Sequence, residues 1–313
     1  MSDHPLLRVE HAVKRFGAKV AVDDVSFAVD RGQTIGLVGE SGSGKSTLAR
    51  LIVALERADG GSVWFDGLPL PERYADLRTV RQRMGMVFQS PVDALDPHLT
   101  LTELVTEPLR AAGRRGDATD ARARQLLDRV GLGGADLRHR AGAFSGGEQQ
   151  RIAFARALAL EPELIVCDEP TSSLDVSVQA QILNLMLDLQ AQVGVAFVLI
   201  SHDLDVVRRM SDQVVVLLDG QVMERGPADA VASTPMHPYT QALMAAVPRP
   251  RWTIDADRAD GPPAPRGDRG SGCPFASRCP QAHERCSERP ALRRTSDRDV
   301  ACHLVDEPKG DQS

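Results

Sequence analysis

One eight-residue stretch near the start of the sequence carries the residue types that bind phosphate. It matches the pattern G-x-x-x-x-G-K-[ST] and consists of Gly39, Glu40, Ser41, Gly42, Ser43, Gly44, Lys45 and Ser46. The glycines let the backbone curl, so that successive N–H groups point inward at an anion. Lys45 can reach the β- and γ-phosphates of a nucleotide, and the Ser46 hydroxyl can ligate Mg²⁺. We predict that this loop, with Thr47, binds a nucleotide and that Lys45 is also catalytic.

Two acidic residues at the end of an apolar run suit phosphoryl transfer. Residues 164–167 have the composition of a buried strand, and Asp168 and Glu169 follow directly. At the tip of such a strand, Asp168 can hold Mg²⁺ through water beside Ser46, while Glu169 can polarise the attacking water. We predict that Asp168 is a Mg²⁺ residue and that Glu169 is catalytic.

Small residues open a helix in the middle of the chain. Ser145, Gly146 and Gly147 leave backbone N–H groups free at a helix N-terminus, which predicts a second anion site. Glu148, three residues after Ser145, completes a capping box. An ordinary helix cap is therefore an alternative interpretation, and both can hold at once.

The elements that must position these residues follow an α/β pattern. Residues 6–32 alternate like antiparallel strands, and a short apolar run, residues 33–38, precedes the phosphate loop. Residues 77–140 are mainly helical and polar. From Ser145 to about residue 224, helices and strands alternate, which predicts a mostly parallel sheet with helices on its faces.

Composition excludes several classes of protein. The 313 residues suffice for one large or two modest domains, and 42% of them are hydrophobic, so a buried core is feasible. The net charge of −6 does not indicate a basic face for nucleic acid, and we expect no nucleic acid partner. No run approaches the roughly 20 apolar residues of a membrane span, and no signal sequence opens the chain. We predict a cytoplasmic protein that meets a membrane only through partners.

The order of the motifs resembles that of the ATP-binding subunits of ABC transporters, over roughly residues 6–232. Residues 145–149 look like the LSGGQ segment of that family. The resemblance implies a catalytic glutamine that senses Mg²⁺, a D-loop acid, a catalytic histidine that contacts the γ-phosphate, and an aromatic ring that stacks on adenine. These residues are Gln89, Asp175, His202 and Phe16, respectively. It also implies the α/β fold of the P-loop NTPases, with a mostly parallel core sheet, an N-terminal antiparallel β subdomain and a helical subdomain at about residues 90–150.

The sequence departs from the family pattern at three positions. Glu148 stands where the family prefers Gln, Phe144 stands where Leu is usual, and Phe16 stands where Tyr is commoner. A carboxylate near a γ-phosphate is unfavourable, but this position lies at the edge of the contact. We therefore expect function to survive all three changes.

The resemblance also implies that two chains act together. In that family, the phosphate loop of one chain and the Ser-Gly-Gly segment of another serve the same nucleotide. Since this sequence has one copy of each, two chains are expected to sandwich two ATP molecules. Hydrolysis then removes the γ-phosphate bridge and lets the pair open, which is a switch controlled by a ligand.

The C-terminal part narrows the resemblance. Residues 235–240 and 272–280 resemble the C-terminal extension of the oligopeptide/dipeptide branch of ABC importers, some of which take up nickel or other small solutes. This implies a second ATPase subunit, identical or not, two membrane permeases and an extracytoplasmic solute-binding protein, with this chain peripheral at the cytoplasmic face of the inner membrane. The implied divisions are an ATPase domain at 6–232, an extension with a Pro- and Gly-rich linker at 233–272, and a four-cysteine module at 273–305.

A second function class remains as an alternative, namely a soluble ABC ATPase that acts on nucleic acid or ribosomes. Such proteins tend to carry two cassettes, a long coiled-coil insertion or a basic face. The sequence has none of these features, and its C-terminal part favours the importer.

Four cysteines occur with the spacing C-x5-C-x6-C-x15-C, at Cys273, Cys279, Cys286 and Cys302. Four thiolates can hold a [4Fe–4S] cluster, and some members of the resembling branch carry one here. The spacing lacks the short C-x2-4-C knuckles typical of structural zinc. We favour the cluster, with zinc and then free thiols or disulfides as alternatives.

Overall fold

Twelve strands form two sheets in the computed structural model, which describes residues 4–73, 75–172, 174–246 and 272–305. Most of the predicted linker therefore lies outside the described residues. The strands are β1 Leu7–Phe16, β2 Lys19–Val29, β3 Thr34–Val38, β4 Gly60–Phe65, β5 Leu68–Pro69, β6 Met84–Val87, β7 Leu164–Asp168, β8 Ala196–Ile200, β9 Gln213–Leu218, β10 Gln221–Pro227, β11 Arg293–Arg294 and β12 Asp299–Val300.

The two sheets have the two predicted architectures. The smaller sheet is antiparallel, in the order β2-β1-β4-β5. The larger one has the order β11-β12-β10-β9-β3-β8-β7-β6, and its strands from β9 to β6 are parallel. Strand β6 lies in the stretch that the sequence pattern indicated as helical. Four residues are too few to show a period of their own between two helical segments.

Ten α-helices cover the sheets within the described residues. They are α1 Lys45–Ile52, α2 Leu77–Gln82, α3 Pro91–Ala94, α4 Leu101–Ala111, α5 Asp120–Arg129, α6 Gly146–Ala157, α7 Val176–Val193, α8 Leu204–Met210, α9 Ala228–Ser233 and α10 Pro238–Ala246. Among the residues that the structure describes, none of these helices has both the length and the apolar character needed to cross a membrane.

Local sequence explains where the longer helices begin and end. Thr100 and Glu103 form a capping box at the start of α4, so the free N–H groups of the first turn are satisfied. Asp175 caps α7 by accepting from two backbone N–H groups of its first turn, and α7 ends at Gly194, whose φ is 68°.

Every residue of β3, β7 and β8 is buried, because helices or the second sheet cover both faces of the parallel strands. One apolar cluster fills the space between the two sheets around α1, and another packs α4–α7 on the opposite face. The carboxyl ends of these three strands lead to Gly39, Glu169 and Ser201. Since parallel strands end at the same edge of the sheet, the candidate residues that follow these strands lie close together.

The C-terminal residues join the larger sheet. Strand β12 pairs with β10, where Val300 lies opposite Glu224. The Glu224 carboxylate is fully buried, lies 3.3 Å from Arg298 and accepts the N–H groups of Met236 and His237. Removing one partner of such a buried pair commonly costs about 3–5 kcal/mol of stability. The four-cysteine region is thus fixed to the sheet by backbone pairing and by a buried charge network.

Candidate nucleotide site

The phosphate loop, residues 39–46, connects the end of β3 to α1, whose first residue is Lys45. Gly39 has a φ of 150°, and a Cβ atom there would lie 2.1 Å from the carbonyl oxygen of Leu217. Position 39 therefore requires glycine, because the backbone of β9 approaches too closely for a side chain. The N-terminal end of α1, with its partial positive charge, faces the space above the loop.

Lys45 is held inside the loop. Its Nζ donates to the carbonyl oxygens of Gly39 at 2.7 Å and Glu40 at 2.9 Å, and to the hydroxyl of Ser43 at 3.4 Å. Burial lowers the pKa of the Lys45 ammonium, while the nearby carboxylates, with Glu169 first among them, act in the opposite direction. The ammonium thus donates to three acceptors within the loop. A bound phosphate has to replace at least one of these acceptors.

Ser46 and Asp168 form the part of the site that suits Mg²⁺. The Ser46 hydroxyl donates to Oδ1 of Asp168 at 3.1 Å, and burial raises the pKa of that carboxyl group. One hydroxyl and one carboxylate match the donors that Mg²⁺ takes from protein, since phosphates and water usually complete its shell. The donor set therefore fits the ion that the resemblance implies.

Glu169 lies between two other candidate residues. Its carboxylate Oε2 is 3.4 Å from Nε2 of Gln89, which donates to it, and 3.3 Å from Nδ1 of His202. The backbone of Glu169 has a φ of 47°, a conformation that is uncommon for a residue other than glycine. This conformation directs the backbone N–H to the carbonyl oxygen of Ile200, on β8. Gln89, Glu169 and His202 follow the neighbouring strands β6, β7 and β8, and they meet at the Glu169 carboxylate.

A cavity of about 200 Å³ lies above the loop. The predicted residues that line it are Ser41, Gly42, Gly44, Lys45, Ser46, Thr47, Gln89 and Glu169. Lys19 and Ala21 of β2 line it as well, although the sequence analysis did not identify them. A strand that alternates in an ordinary way contains no signal that one of its residues faces a ligand.

Phe16 lies at the end of β1 and does not line this cavity. The residue is 46% exposed, with the Lys14 ammonium 5.3 Å from the ring centroid. An exposed ring can stack on a planar base. Its role at adenine remains a prediction.

The Ser-Gly-Gly segment is on the surface, and its residues do not line the cavity. The Ser145 hydroxyl donates to Oε2 of Glu148 at 2.7 Å, and the same oxygen accepts the Ser145 N–H at 2.8 Å. These hydrogen bonds lower the pKa of the Glu148 carboxyl group, so it is ionised at neutral pH. Asp175, also exposed, uses its carboxylate to cap α7. These candidate residues therefore form a second, exposed set.

The four C-terminal cysteines line one small pocket together with Phe275 and His237. Burial raises the pKa of the Cys273 thiol, and the other three cysteines raise it further. Within the described residues, however, no three His, Cys, Asp or Glu side chains have an arrangement that could hold a metal ion.

Two families match this chain in consecutive parts. Residues 22–172 match the ABC transporter family, and residues 223–286 match the C-terminal region of oligopeptide/dipeptide transporters. A Brucella abortus (strain 2308) protein named for peptide import and ATP binding is 45% identical over 288 residues, covering 91% of this chain and 86% of that protein. A Sinorhizobium fredii protein named for the ATP-binding part of a peptide ABC transporter is 43% identical over 327 residues, covering 97% of this chain and 91% of that protein.

Solved structures are similar over the cassette. CbiO1 from Clostridium perfringens, part of the ABC transporter complex CbiONQ, has a TM-score of 0.67 and 25% identity, and the match covers 74% of this chain and 93% of that one. The ATP-binding cassette MJ0796, solved as a dimer bound to ADP and Pi after hydrolysis, has a TM-score of 0.63 and 30% identity, with coverage of 71% and 98%. These findings confirm the predicted α/β fold class and the resemblance drawn from the motifs. The chain therefore belongs to the ATP-binding subunits of ABC transporters, in the oligopeptide/dipeptide branch.

Proposed function

We propose that this chain binds and hydrolyses ATP to drive the import of peptides, or of a related small solute, through partner permeases. The observation that supports this most strongly is the Glu169 carboxylate, which lies between Gln89 and His202 at the edge of the phosphate-loop cavity. A carboxylate that two polar side chains orient can position and polarise water for attack on a phosphorus atom.

The candidate residues of the nucleotide site have distinct roles in this proposal. Lys45 and the N–H groups of the loop bind the β- and γ-phosphates, while Ser46, Asp168 and Gln89 hold Mg²⁺. When bound, Mg²⁺ neutralises negative charge on the phosphates. Glu169 orients the attacking water, and His202, 63% exposed at its side chain, contacts the γ-phosphate. The loop residues Gly39, Glu40, Ser41, Gly42, Ser43, Gly44 and Thr47 shape the phosphate cradle.

The exposed set of candidate residues supports a site shared by two chains. Ser145, Gly146, Gly147 and Asp175 lie outside their own chain's cavity, so they are available to a nucleotide held by a second copy or a related ATPase subunit. Phe16 stacks on adenine from the chain that holds the phosphates.

Replacing Glu148 with Gln is expected to strengthen ATP-dependent pairing. The carboxylate carries a negative charge next to Ser145, and the partner's γ-phosphate would approach that serine. At an effective dielectric constant between water and protein, removing one like charge about 8 Å away increases affinity roughly 2- to 10-fold. Sedimentation of the Glu148→Gln/Glu169→Gln double variant with ATP, against Glu169→Gln alone, measures the change.

The exposed acid Asp188 on α7 provides the matched control, since Asp188→Asn removes the same charge away from the segment. The gain from Glu148→Gln should shrink as salt is added, because exposed charges are screened. Weaker pairing after Glu148→Gln would contradict the predicted repulsion.

The partners in this proposal are a second ATPase subunit, two permeases and an extracytoplasmic solute-binding protein, with this chain peripheral at the cytoplasmic face of the membrane. The names of the relatives support peptides as the solute. Affinity purification of the tagged chain from detergent-solubilised membranes should recover the hydrophobic subunits. Vesicles that contain the complex should accumulate labelled peptides only with ATP. Recovery with ribosomes or nucleic acid, without permeases, would support the alternative class instead.

The four-cysteine pocket is proposed to hold a [4Fe–4S] cluster, with zinc as the alternative. Four cysteines that line one pocket offer ligands of the type that either metal group uses, although their side chains are not arranged to hold a metal ion among the described residues. Anaerobic purification of the full chain should give a brown protein that absorbs at about 400 nm and contains iron and sulfide. One zinc ion per chain would favour the alternative, and four titratable thiols without metal would contradict both. The domain division at residues 273–305 stays a prediction.

A further inference from the structure

The C-terminal region contacts the phosphate loop at Glu40. The hydroxyl of Tyr239, a residue that is 1% exposed, accepts the Glu40 N–H at 2.9 Å and lies 3.4 Å from the carbonyl oxygen of Leu217, to which it donates. Nη1 of Arg278 donates to the Glu40 carboxylate at 2.7 Å. Neither Tyr239 nor Arg278 belongs to a nucleotide motif, yet together they hold both the backbone and the side chain of one loop residue.

The backbone of Glu40 is held at both its N–H group and its carbonyl group. Tyr239 binds its N–H, and Lys45 donates to its carbonyl oxygen at 2.9 Å. A bound phosphate competes for the N–H donors of Lys45, so the hydrogen bond from Lys45 to the Glu40 carbonyl oxygen weakens when phosphate binds. Tyr239 does not face the phosphates and keeps its contact. The loop therefore depends on Tyr239 to stay in the shape that binds phosphate.

Charge gives Arg278 a separate effect. The Glu40 carboxylate lies near enough to Lys45 to act on the pKa of its ammonium, so it also repels phosphates bound there. The guanidinium of Arg278, only 21% exposed at its side chain, neutralises this carboxylate. Without Arg278, an uncompensated negative charge would remain beside the phosphate cradle.

The segment that contains Arg278, residues 273–279, also carries two of the cysteines. Phe275 and Arg278 lie between Cys273 and Cys279, and the guanidinium of Arg278 lies 5.2 Å from the centroid of the Phe275 ring. The Phe275 ring also packs on Tyr239, at 5.4 Å between centroids, and lines the cysteine pocket. This segment therefore lines the cysteine pocket, makes the Arg278 contact to Glu40 and packs through Phe275 on Tyr239, which makes the other contact to Glu40.

We infer that Tyr239 and Arg278 are positioning residues of the nucleotide site, and that their contacts to Glu40 increase the affinity for ATP. The inference rests on the proposed function, in which the phosphate loop binds ATP. Both residues act through Glu40 and neither contacts Glu169. Their loss should therefore raise the Kd and KM for ATP and leave kcat nearly unchanged.

Equilibrium titration of the full chain with a fluorescent ATP analogue, together with ATPase kinetics, tests this directly. Tyr239→Phe keeps the ring and removes both hydrogen bonds of the hydroxyl, to the Glu40 N–H and to the Leu217 carbonyl oxygen, so the Kd should rise about 2- to 10-fold. Arg278→Gln should raise it by a similar factor, about 2- to 10-fold, through loss of a charge-assisted hydrogen bond. Arg278→Lys, which keeps the charge, should recover part of the affinity. The value of kcat should stay within about twofold, since water positioning is intact.

Arg289→Gln is the matched control. Arg289 belongs to the same C-terminal region and donates to Asp23, on β2, at 2.8 Å, so its own contact is not with a residue of the loop. Its loss should leave the Kd unchanged. An equal rise in Kd for Arg289→Gln would overturn the inference, because docking in general and not the contacts to Glu40 would then be responsible.

Glu40→Gln tests the pathway without disturbing the C-terminal region. In that background, Arg278→Gln should cause little further loss, because the carboxylate through which it acts is absent. A full additional loss would overturn the role assigned to Arg278. Lys45→Ala distinguishes failure of this inference from failure of the proposed function. If Lys45→Ala abolishes ATP binding while Tyr239→Phe and Arg278→Gln bind ATP normally, the inference fails and the proposed function stands. Normal binding by Lys45→Ala would remove the proposed function itself.

Discussion

Replacing Glu169 with Gln is expected to lower ATP hydrolysis by about 10²-fold or more while ATP still binds. The amide keeps the size of the side chain beside Gln89 and His202, but it carries no negative charge to polarise water. Since the γ-phosphate then persists, the two chains should stay paired around ATP. Single-turnover hydrolysis and sedimentation with ATP measure the two effects.

Glu161→Gln serves as the control for the Glu169 experiment, because this exposed carboxylate precedes the same strand, β7. It should hydrolyse ATP at the normal rate and open normally. Normal turnover by Glu169→Gln would remove this residue from its catalytic role. Slow turnover without a trapped pair would instead mean that hydrolysis does not control separation of the chains.

Replacing Lys45 with Ala is expected to weaken nucleotide binding and to reduce the rate by at least about 10²-fold, in line with the loss of one preorganised electrostatic contact. The ammonium is the side-chain cation that the loop itself provides to the phosphates. Its three acceptors all belong to the loop, so the change is confined to the site. Nucleotide titration and steady-state kinetics give the two quantities.

Lys45→Arg is the informative companion variant. It keeps a positive charge, but the planar guanidinium cannot occupy the compact position of the ammonium within the loop. A large loss in this variant as well would show that geometry matters in addition to charge. Unchanged hydrolysis by Lys45→Ala would refute the assignment of the phosphate loop, and thermal unfolding would check that both variants fold.

The sequence was most informative where function depends on local order. The phosphate loop between a strand and a helix and the acids at a strand end can be read along the chain. Parallel strands end at one edge, so Ser46 and Asp168 could be expected to meet, and they lie 3.1 Å apart in the structure. The capping box of Ser145 and Glu148 has the same character, since two residues three positions apart within one turn decide it.

Contacts between distant parts of the chain could not be predicted in this way. Nothing near Arg278 indicates that its partner is Glu40, and nothing near Val300 indicates that β12 extends the sheet at β10. Such contacts depend on how the whole chain packs, and periodicity carries no information about them. The left-handed backbone of Glu169 was equally hidden, since the surrounding strands impose it against the preference of the residue.

The pairing of β12 with β10 means that the C-terminal region cannot be trimmed away as a passive appendage. A shorter polypeptide that stopped before Arg293 would bare the hydrogen-bonding edge of β10, and such an open edge invites pairing between molecules. It would also leave the buried carboxyl group of Glu224 without the guanidinium of Arg298. A minimal cassette cut from this protein would therefore need a new edge and a neutral residue at position 224.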